Sequence, residues 1–428
     1  MDKESQIGQK MYELVKRLFP ICRSITGNGV RETLRILKKE IPLKVYEVPT
    51  GTQVFDWVVP KEWNITEAWI EDPDGNRIID FANNNLHVMG YSVPIDMELP
   101  LSKLQEHLYS IPEQPDAIPY VTSYYQERWG FCITHSAREK LPDGIYHVHI
   151  NSSLANGSLT YGELIIPGES EKEIFLSTYI CHPSMANNEL SGPAVTTYLA
   201  KWIKSKKRHY TYRIIFIPET IGSLTYLSQH LDELKKNVIA GFNITCVGDE
   251  RTYSFQSSRY GTTLADRIAR RILTKRQSDF KSYSFLNRGG DERQYCSPGV
   301  DLPVVSITRS HHTDYPEYHT SLDNLSIISP KGLKGSFDII KECLEEIENN
   351  PRYQANFMGE PQLGKRGLYS TLSRKGSKNQ DVKLYLNILA YSDGTNDIHD
   401  LSEKLTLPEK DILEVTNTLL DAKLIRQI

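Results

Sequence analysis

Four short clusters in the 428-residue chain hold most of the side chains able to do chemistry. The first is Cys181-His182-Pro183, followed by Asn188-Glu189-Leu190-Ser191-Gly192. Proline lacks a backbone donor and biases its predecessor away from helix, so His182 is expected at a strand end, facing a loop. An imidazole followed by oxygen donors at the mouth of the next helix makes half of a metal site; the plainer alternative is a His-Pro turn with a capped helix. The second cluster, Pro218-Glu219-Thr220-Ile221-Gly222, ends another apolar run. Glu219 could take a proton from a metal-bound water, or simply complement a helix dipole. In the third cluster, Tyr315-Pro316-Glu317-Tyr318-His319 through Asp323, His319 offers a second imidazole, which Asp323 could orient from behind. The fourth, Arg288-Gly289-Gly290-Asp291-Glu292-Arg293, is a glycine loop with charges of both signs, suited to a zwitterionic substrate or to a solvated, ion-paired loop. His311 and His312, being adjacent, are expected to point apart and to face the surface or a substrate rather than a metal.

The elements that must carry these clusters alternate. Strand-like runs at 174–180, 212–217, 238–247 and 303–307 are interleaved with helical spacing at 192–204, 223–235, 262–273 and 331–347. This pattern predicts a three-layer α/β domain around a largely parallel sheet, with its chemistry at the strand ends. Two helices are expected near the start, over 7–19 and 29–40. From Val45 to about Pro115, aromatic residues, recurrent prolines and the turn Asp72-Pro73-Asp74-Gly75 read as a small inserted β-rich unit. A Gly-, Pro-, Lys- and Ser-rich stretch, 351–380, reads as a linker. Three short amphipathic helices then follow in 381–428, as in a helix-turn-helix or winged helix.

Taken together, in this order, the four clusters resemble those of zinc-dependent aminopeptidases of the phosphorylase/hydrolase-like fold. More closely, the chain resembles the bacterial aminopeptidase-like-domain family associated with polysaccharide-biosynthesis genes. Phe55-Asp56-Trp57-Val58-Val59-Pro60-Lys61-Glu62-Trp63-Asn64 is similar to that family's inserted β domain, and the tail to its winged helix. The resemblance implies a catalytic domain over 1–44 and 116–350, an insert over 45–115, and a winged-helix module over 381–428. It also exposes departures. Asn188 stands where two-zinc enzymes have a bridging Asp, Thr220 where they have a Glu ligand, and Thr245 where they have a further Asp. The resemblance therefore implies one zinc, held by His182, His319 and either Asn188 or Glu189, with water in an open fourth position. It implies hydrolysis of a small peptide or aminoacyl amide, as by an aminopeptidase or related amidase, with Glu219 as general base. Asp291 and Glu292 are the candidates to hold a substrate ammonium, Arg293 or Arg288 a carboxylate, and Tyr315 or Tyr318 to donate to an oxyanion.

Bulk properties narrow the field. Hydrophobic content is 39%, charged content 24%, and net charge -4, which gives no general attraction to nucleic acid or anionic membrane. Met1 to Lys10 is mostly polar and the apolar runs are short, so neither a signal peptide nor a membrane anchor is expected. Six scattered cysteines without a Cys-x-x-Cys pair suggest no disulfide framework, and the cytoplasm is the expected compartment. The rival to an enzyme is a sensor that keeps the fold and one metal without turnover. In the last tail helix Glu409, Asp411 and Glu414 outnumber Lys410, the wrong sign for phosphate contact, which favours protein contact or homo-oligomerisation over DNA binding.

Overall fold

Runs of β-branched and aromatic residues that are buried on both faces build the central sheet, as parallel strands covered by helices require. A computed structural model describes residues 3–368 and 379–428. The chain divides into two compact units, Met1–Glu342 and Cys343–Ile428. The sheet of the first unit contains β1 (Lys44–Pro49), β2 (Ser158–Ile166), β3 (Ser170–Tyr179), β4 (Tyr210–Ile217), β5 (Val238–Asn243), β6 (Ser254–Gln256), β7 (Lys281–Tyr283) and β8 (Val304–Thr308). Their spatial order is β1-β2-β4-β3-β5-β8-β6-β7. The four central strands, β4, β3, β5 and β8, are mutually parallel. The flanks are mixed: β1 and β2 run antiparallel on one side, and β6 runs antiparallel to β8 on the other. The expected parallel core is present, but β6 and β7 are only three residues each, too short to show an alternation in sequence.

The chain passes from β3 to β4 on one side, then returns past β3 to β5 on the other. Such a reversal opens a crevice beyond the carboxyl ends of the strands. The crossover helices are Ser191–Lys204 and Ile221–Asn237. The first approaches the sheet closely at Gly192, where a Cβ would collide with the Ile244 carbonyl and the Thr178 hydroxyl. Glycine is the residue that permits this contact.

The β-rich unit has other edges than the sequence suggests. Its four-stranded antiparallel sheet runs Arg77–Asp80, Glu62–Glu71, Ile145–Ala155, Ile95–Pro100. The long strand Ile145–Ala155 thus comes from beyond the expected 45–115 boundary, whereas β1 at its start joins the main sheet instead. A separate ribbon, Gln53–Val54 with Trp57–Val58, carries Trp57.

In the second unit, helices Asn379–Tyr391, Ile398–Leu405 and Glu409–Asp421 pack around Ile388, Leu401, Ile412 and Leu419. Part of the expected linker is folded here. Tyr353–Ala355 pairs antiparallel with Ile425–Gln427, and Leu363–Arg366 forms a helical turn with Leu363 buried in the same core. The rest of that linker, 369–378, lies outside the described residues.

Arg213 on β4 binds the sheet from within. Its guanidinium donates to Glu173 on β3 at 2.6 and 2.9 Å, to Glu163 on β2 at 3.2 Å, and to the Tyr226 hydroxyl at 2.9 Å. Arg213, Glu163 and Glu173 side chains are all at most 6% exposed, so removing the cation strands two buried carboxylates. Arg213→Met should cost about 3–5 kcal/mol, read as a lowered urea midpoint at unchanged slope. A midpoint equal to that of the natural chain would show that the network contributes nothing net.

Candidate metal and hydrolytic site

His182 follows β3 by three residues, as the His-Pro signal implies, and is 3% exposed. Its Nδ1 lies 2.7 Å from Glu189 Oε2 and its Nε2 lies 3.5 Å from Glu219 Oε2. Glu189 is therefore placed behind the ring, where it accepts the Nδ1–H and turns Nε2 toward the crevice. Glu189 meets the imidazole through Oε2, and its Oε1 is buried without a hydrogen-bond partner. Arg23 supports both residues. Its Nε donates to the His182 carbonyl at 2.9 Å, its Nη2 to the Pro183 carbonyl at 3.2 Å, and its guanidinium lies 3.9 Å from Glu189. Burial pushes the Glu189 carboxyl up to about 8, with Arg23 pulling it back. Burial, then the charge of Arg23, pushes His182 down to about 3, which leaves the imidazole neutral and able to bind a cation.

His319 sits in a turn with φ of 56°, held by the Tyr120 N–H, which donates to its carbonyl at 2.9 Å. The His182 and His319 ring centroids are 5.1 Å apart, and the Tyr120 ring packs against both at 5.2 and 5.1 Å. Burial, then His182, drives His319 down to about 2, and its buried Nε2 has no hydrogen-bond partner. Asn188 gives its amide N–H to the Tyr179 hydroxyl at 3.2 Å, which leaves Oδ1 buried and unpartnered. Buried polar atoms are almost always paired, so these two orphans mark a place for a ligand. Two neutral imidazole nitrogens and an amide oxygen are donor types that zinc accepts. Cys181 Sγ also lies within 4.8 Å of donor atoms of His182 and Glu219. Burial holds this thiol well above its ordinary range, and its sulfur accepts the Glu219 N–H at 3.2 Å.

Glu219 and Thr220 form a tight turn between β4 and helix Ile221–Asn237. Thr220 adopts φ of 63°, a strained conformation for a β-branched residue. Asp291 stabilises it by accepting the Thr220 N–H and the Ser223 hydroxyl, both at 2.8 Å. The Thr220 hydroxyl accepts from Arg293, whose guanidinium also lies 3.6 Å from Glu219 Oε1. Burial first, then the neighbouring Asp291, raises the proton affinity of Glu219.

The remaining candidates are corrected by their contacts. Asp291 is fully buried, and Glu292 accepts from the Gly289 and Gly290 N–H groups at 2.9 and 3.0 Å and from Asn243 at 3.0 Å. Both acidic groups brace loops, and neither lines the cavity in front of His182 and His319. Tyr315 is buried against Asp323 and Cys246, so it is no oxyanion donor, whereas Tyr318 stacks on His319 with centroids 3.9 Å apart. Arg288 packs on Phe285, away from the cavity, leaving Arg293 as the facing cation. Asp323 does not orient His319. It caps the π-helical turn Ala186–Leu190 by accepting the N–H groups of Ala186, Asn187 and Asn188 at 3.0, 2.6 and 2.9 Å. His311 and His312 do not point apart: their centroids are 4.1 Å apart, and His311 is stacked on Tyr283. Arg23 and Tyr120 are absent from the sequence reading because a lone Arg or Tyr between elements carries no spacing signal.

Residues 12–350 match a family described as a domain of unknown function (DUF4910), and residues 352–427 match a winged helix-turn-helix. The chain is 44% identical over its whole length to 98% of a Clostridium acetobutylicum protein named, provisionally, as a polysaccharide biosynthesis protein with an aminopeptidase-like domain. The chain belongs to this family. A crystal structure of a C. acetobutylicum protein assigned provisionally as a peptidase superposes with a TM-score of 0.84 at 44% identity, covering 99% of this chain and 97% of that one. A zinc aminopeptidase from Bacillus subtilis superposes with a TM-score of 0.58 at 13% identity, over 79% of this chain and 94% of its own. A peptidase M28 precursor from Shewanella amazonensis gives 0.55 at 13%, over 84% and 97%. The fold is thus that of the zinc aminopeptidases, with a C-terminal winged helix-turn-helix. Among the described residues no helix is long and apolar enough to cross a membrane.

If Glu189 orients His182 rather than binding a cation itself, Glu189→Gln should weaken zinc binding about 10–100-fold without abolishing it. Competition with a chromophoric chelator reads this directly, and unchanged affinity would remove Glu189 from the site.

Proposed function

We propose that the protein is a zinc-dependent hydrolase of small amides, with one zinc held by His182, His319 and Asn188, and Glu219 as general base. The observation that carries the reading is His319 Nε2, buried and unpartnered, on the cavity that His182 and Glu219 also line; Asn188 Oδ1, likewise buried and unpartnered, is the proposed third donor. Bound zinc supplies a Lewis acid and an acidified water. Glu219, with its raised proton affinity, takes a proton from the attacking water and passes it to the leaving amine. Arg293 steadies the Glu219 carboxylate, and the strained turn at Thr220 aims it. Tyr120 packs against both imidazoles and keeps bulk water from their inner faces. Threonines stand at 220 and 245, where the resemblance to two-zinc enzymes leads one to expect carboxylate ligands.

The purified chain should contain about one zinc, lost in His182→Ala and in His319→Ala. Glu219→Gln should keep the metal and lower amide turnover by at least about 100-fold. Metal retained in both histidine variants would remove the site. Metal bound without turnover on any amide would instead support a sensor that keeps the fold.

The winged module is proposed as a protein-contact element. Helix Glu409–Asp421 presents Glu409 and Asp411 in its first turn. No salt-dependent mobility shift on duplex DNA is expected, and a shift that weakens steeply with salt would overturn this assignment.

A further inference from the structure

The cavity in front of the two imidazoles encloses about 440 Å³, and its lining brings together one carboxylate, Glu219, and one permanent cation, Arg293. The acidic groups nearby in sequence each hold a neighbour, with Glu189 Oε1 and Asp291 Oδ2 left unpartnered, and none lines this cavity. Asp291 braces the Thr220 turn, Glu292 ties down the Gly289-Gly290 loop, and Glu189 holds His182. Among the described residues no second carboxylate lines this space. A substrate α-ammonium would have to draw its counter-charge from Glu219, the group needed as base, and would lie in the field of Arg293, 3.6 Å from that carboxylate. A cation at the mouth of a site is instead a receiver for an anion, and the planar guanidinium suits a carboxylate. The Arg293 side chain is 39% exposed and its Nε–H has no acceptor. The lining is also aromatic. Trp57 and Tyr125 are 42% and 50% exposed, their rings 6.0 Å apart, and the Tyr125 hydroxyl donates to the Val58 carbonyl at 2.9 Å, which ties it to the Trp57 ribbon.

We infer that the cavity takes an acyl amide bearing a carboxylate, rather than a free α-ammonium, with Arg293 receiving the carboxylate and the Trp57–Tyr125 wall covering a ring-shaped group. The inference rests on the hydrolase reading and narrows it from aminopeptidase to amidase of N-acylamino-acid type. The chemistry balances with water alone. The water oxygen bonds to the acyl carbon, the carbon–nitrogen bond breaks, and the proton carried by Glu219 leaves with the amine, giving a carboxylic acid and an amino acid.

The test is calorimetric titration of the full-length protein with N-acetyl-phenylalanine, neutral N-acetyl-phenylalaninamide and cationic phenylalaninamide, with amine or ammonia release followed separately. The carboxylate probe should bind at least about tenfold more tightly than either other probe. Arg293→Gln should erase that preference, and Arg293→Lys, which restores a charge, should recover part of it. Equal or tighter binding of phenylalaninamide, or no binding of any probe, would overturn the inference. So would an equal loss for all three in Arg293→Gln, since that is what a purely structural role of Arg293 at Glu219 and Thr220 gives. The two readings fail separately: turnover that favours phenylalaninamide removes the inference and leaves a hydrolase, whereas the charge preference without turnover of any probe removes the hydrolase.

Discussion

The hydrogen bond between His182 and Glu189 is the contact on which the rest of the site depends. An imidazole has two nitrogens, and which one faces the crevice is decided by what the other one meets. Here Nδ1 meets a carboxylate that is itself completely buried. A buried carboxylate needs compensation, and it comes from Arg23, which is buried as well and gives its remaining donors to the backbone carbonyls of Leu18, His182 and Pro183. The result is a chain of three residues that determines the direction of Nε2 before any ligand arrives. Arg23, near the start of the chain, is therefore part of the site, although it is not among the residues that line the cavity.

The same device recurs on the other two loops. A buried carboxylate accepts backbone N–H groups and so fixes a turn that the chain would not otherwise hold. Asp291 does this for the strained turn at Thr220, and Asp323 for the turn that presents Asn188. The acidic residues around the crevice thus divide by task. Glu189, Asp291 and Asp323 shape it, and among the described residues Glu219 is the carboxylate that lines it. In the proposed reaction Glu219 is the base among several carboxylates: burial and Asp291 raise its proton affinity, while Arg293 lies close enough to hold it in place.

Much of the fold was legible, because long apolar runs and helical spacing survive in sequence. The His-Pro step placed His182 correctly, and the run ending at Pro218 placed Glu219. The three-residue strands β6 and β7 are too short to carry a pattern, and Ile145–Ala155 belongs to the small sheet by a pairing nearly eighty residues distant in sequence from its partner Glu62–Glu71. At the site, sequence could nominate acidic residues but not rank them. Glu189, Asp291 and Glu292 look like ligands or substrate anchors as letters; only their burial and the N–H groups they accept reveal them as braces. Arg23 was invisible for the opposite reason, since an isolated arginine between two helices looks like a surface charge until its neighbours are known.

In the proposed site one metal ion is held by the imidazoles of His182 and His319 together with oxygen. X-ray absorption at the zinc edge, recorded on the full-length protein, tests this most directly. Nitrogen and oxygen neighbours only are expected, with an imidazole signature, and the zinc signal is lost in His319→Ala. A sulfur scatterer at about 2.3 Å would instead put Cys181 on the metal, and an imidazole signature unchanged in His319→Ala would contradict the pairing of the two histidines.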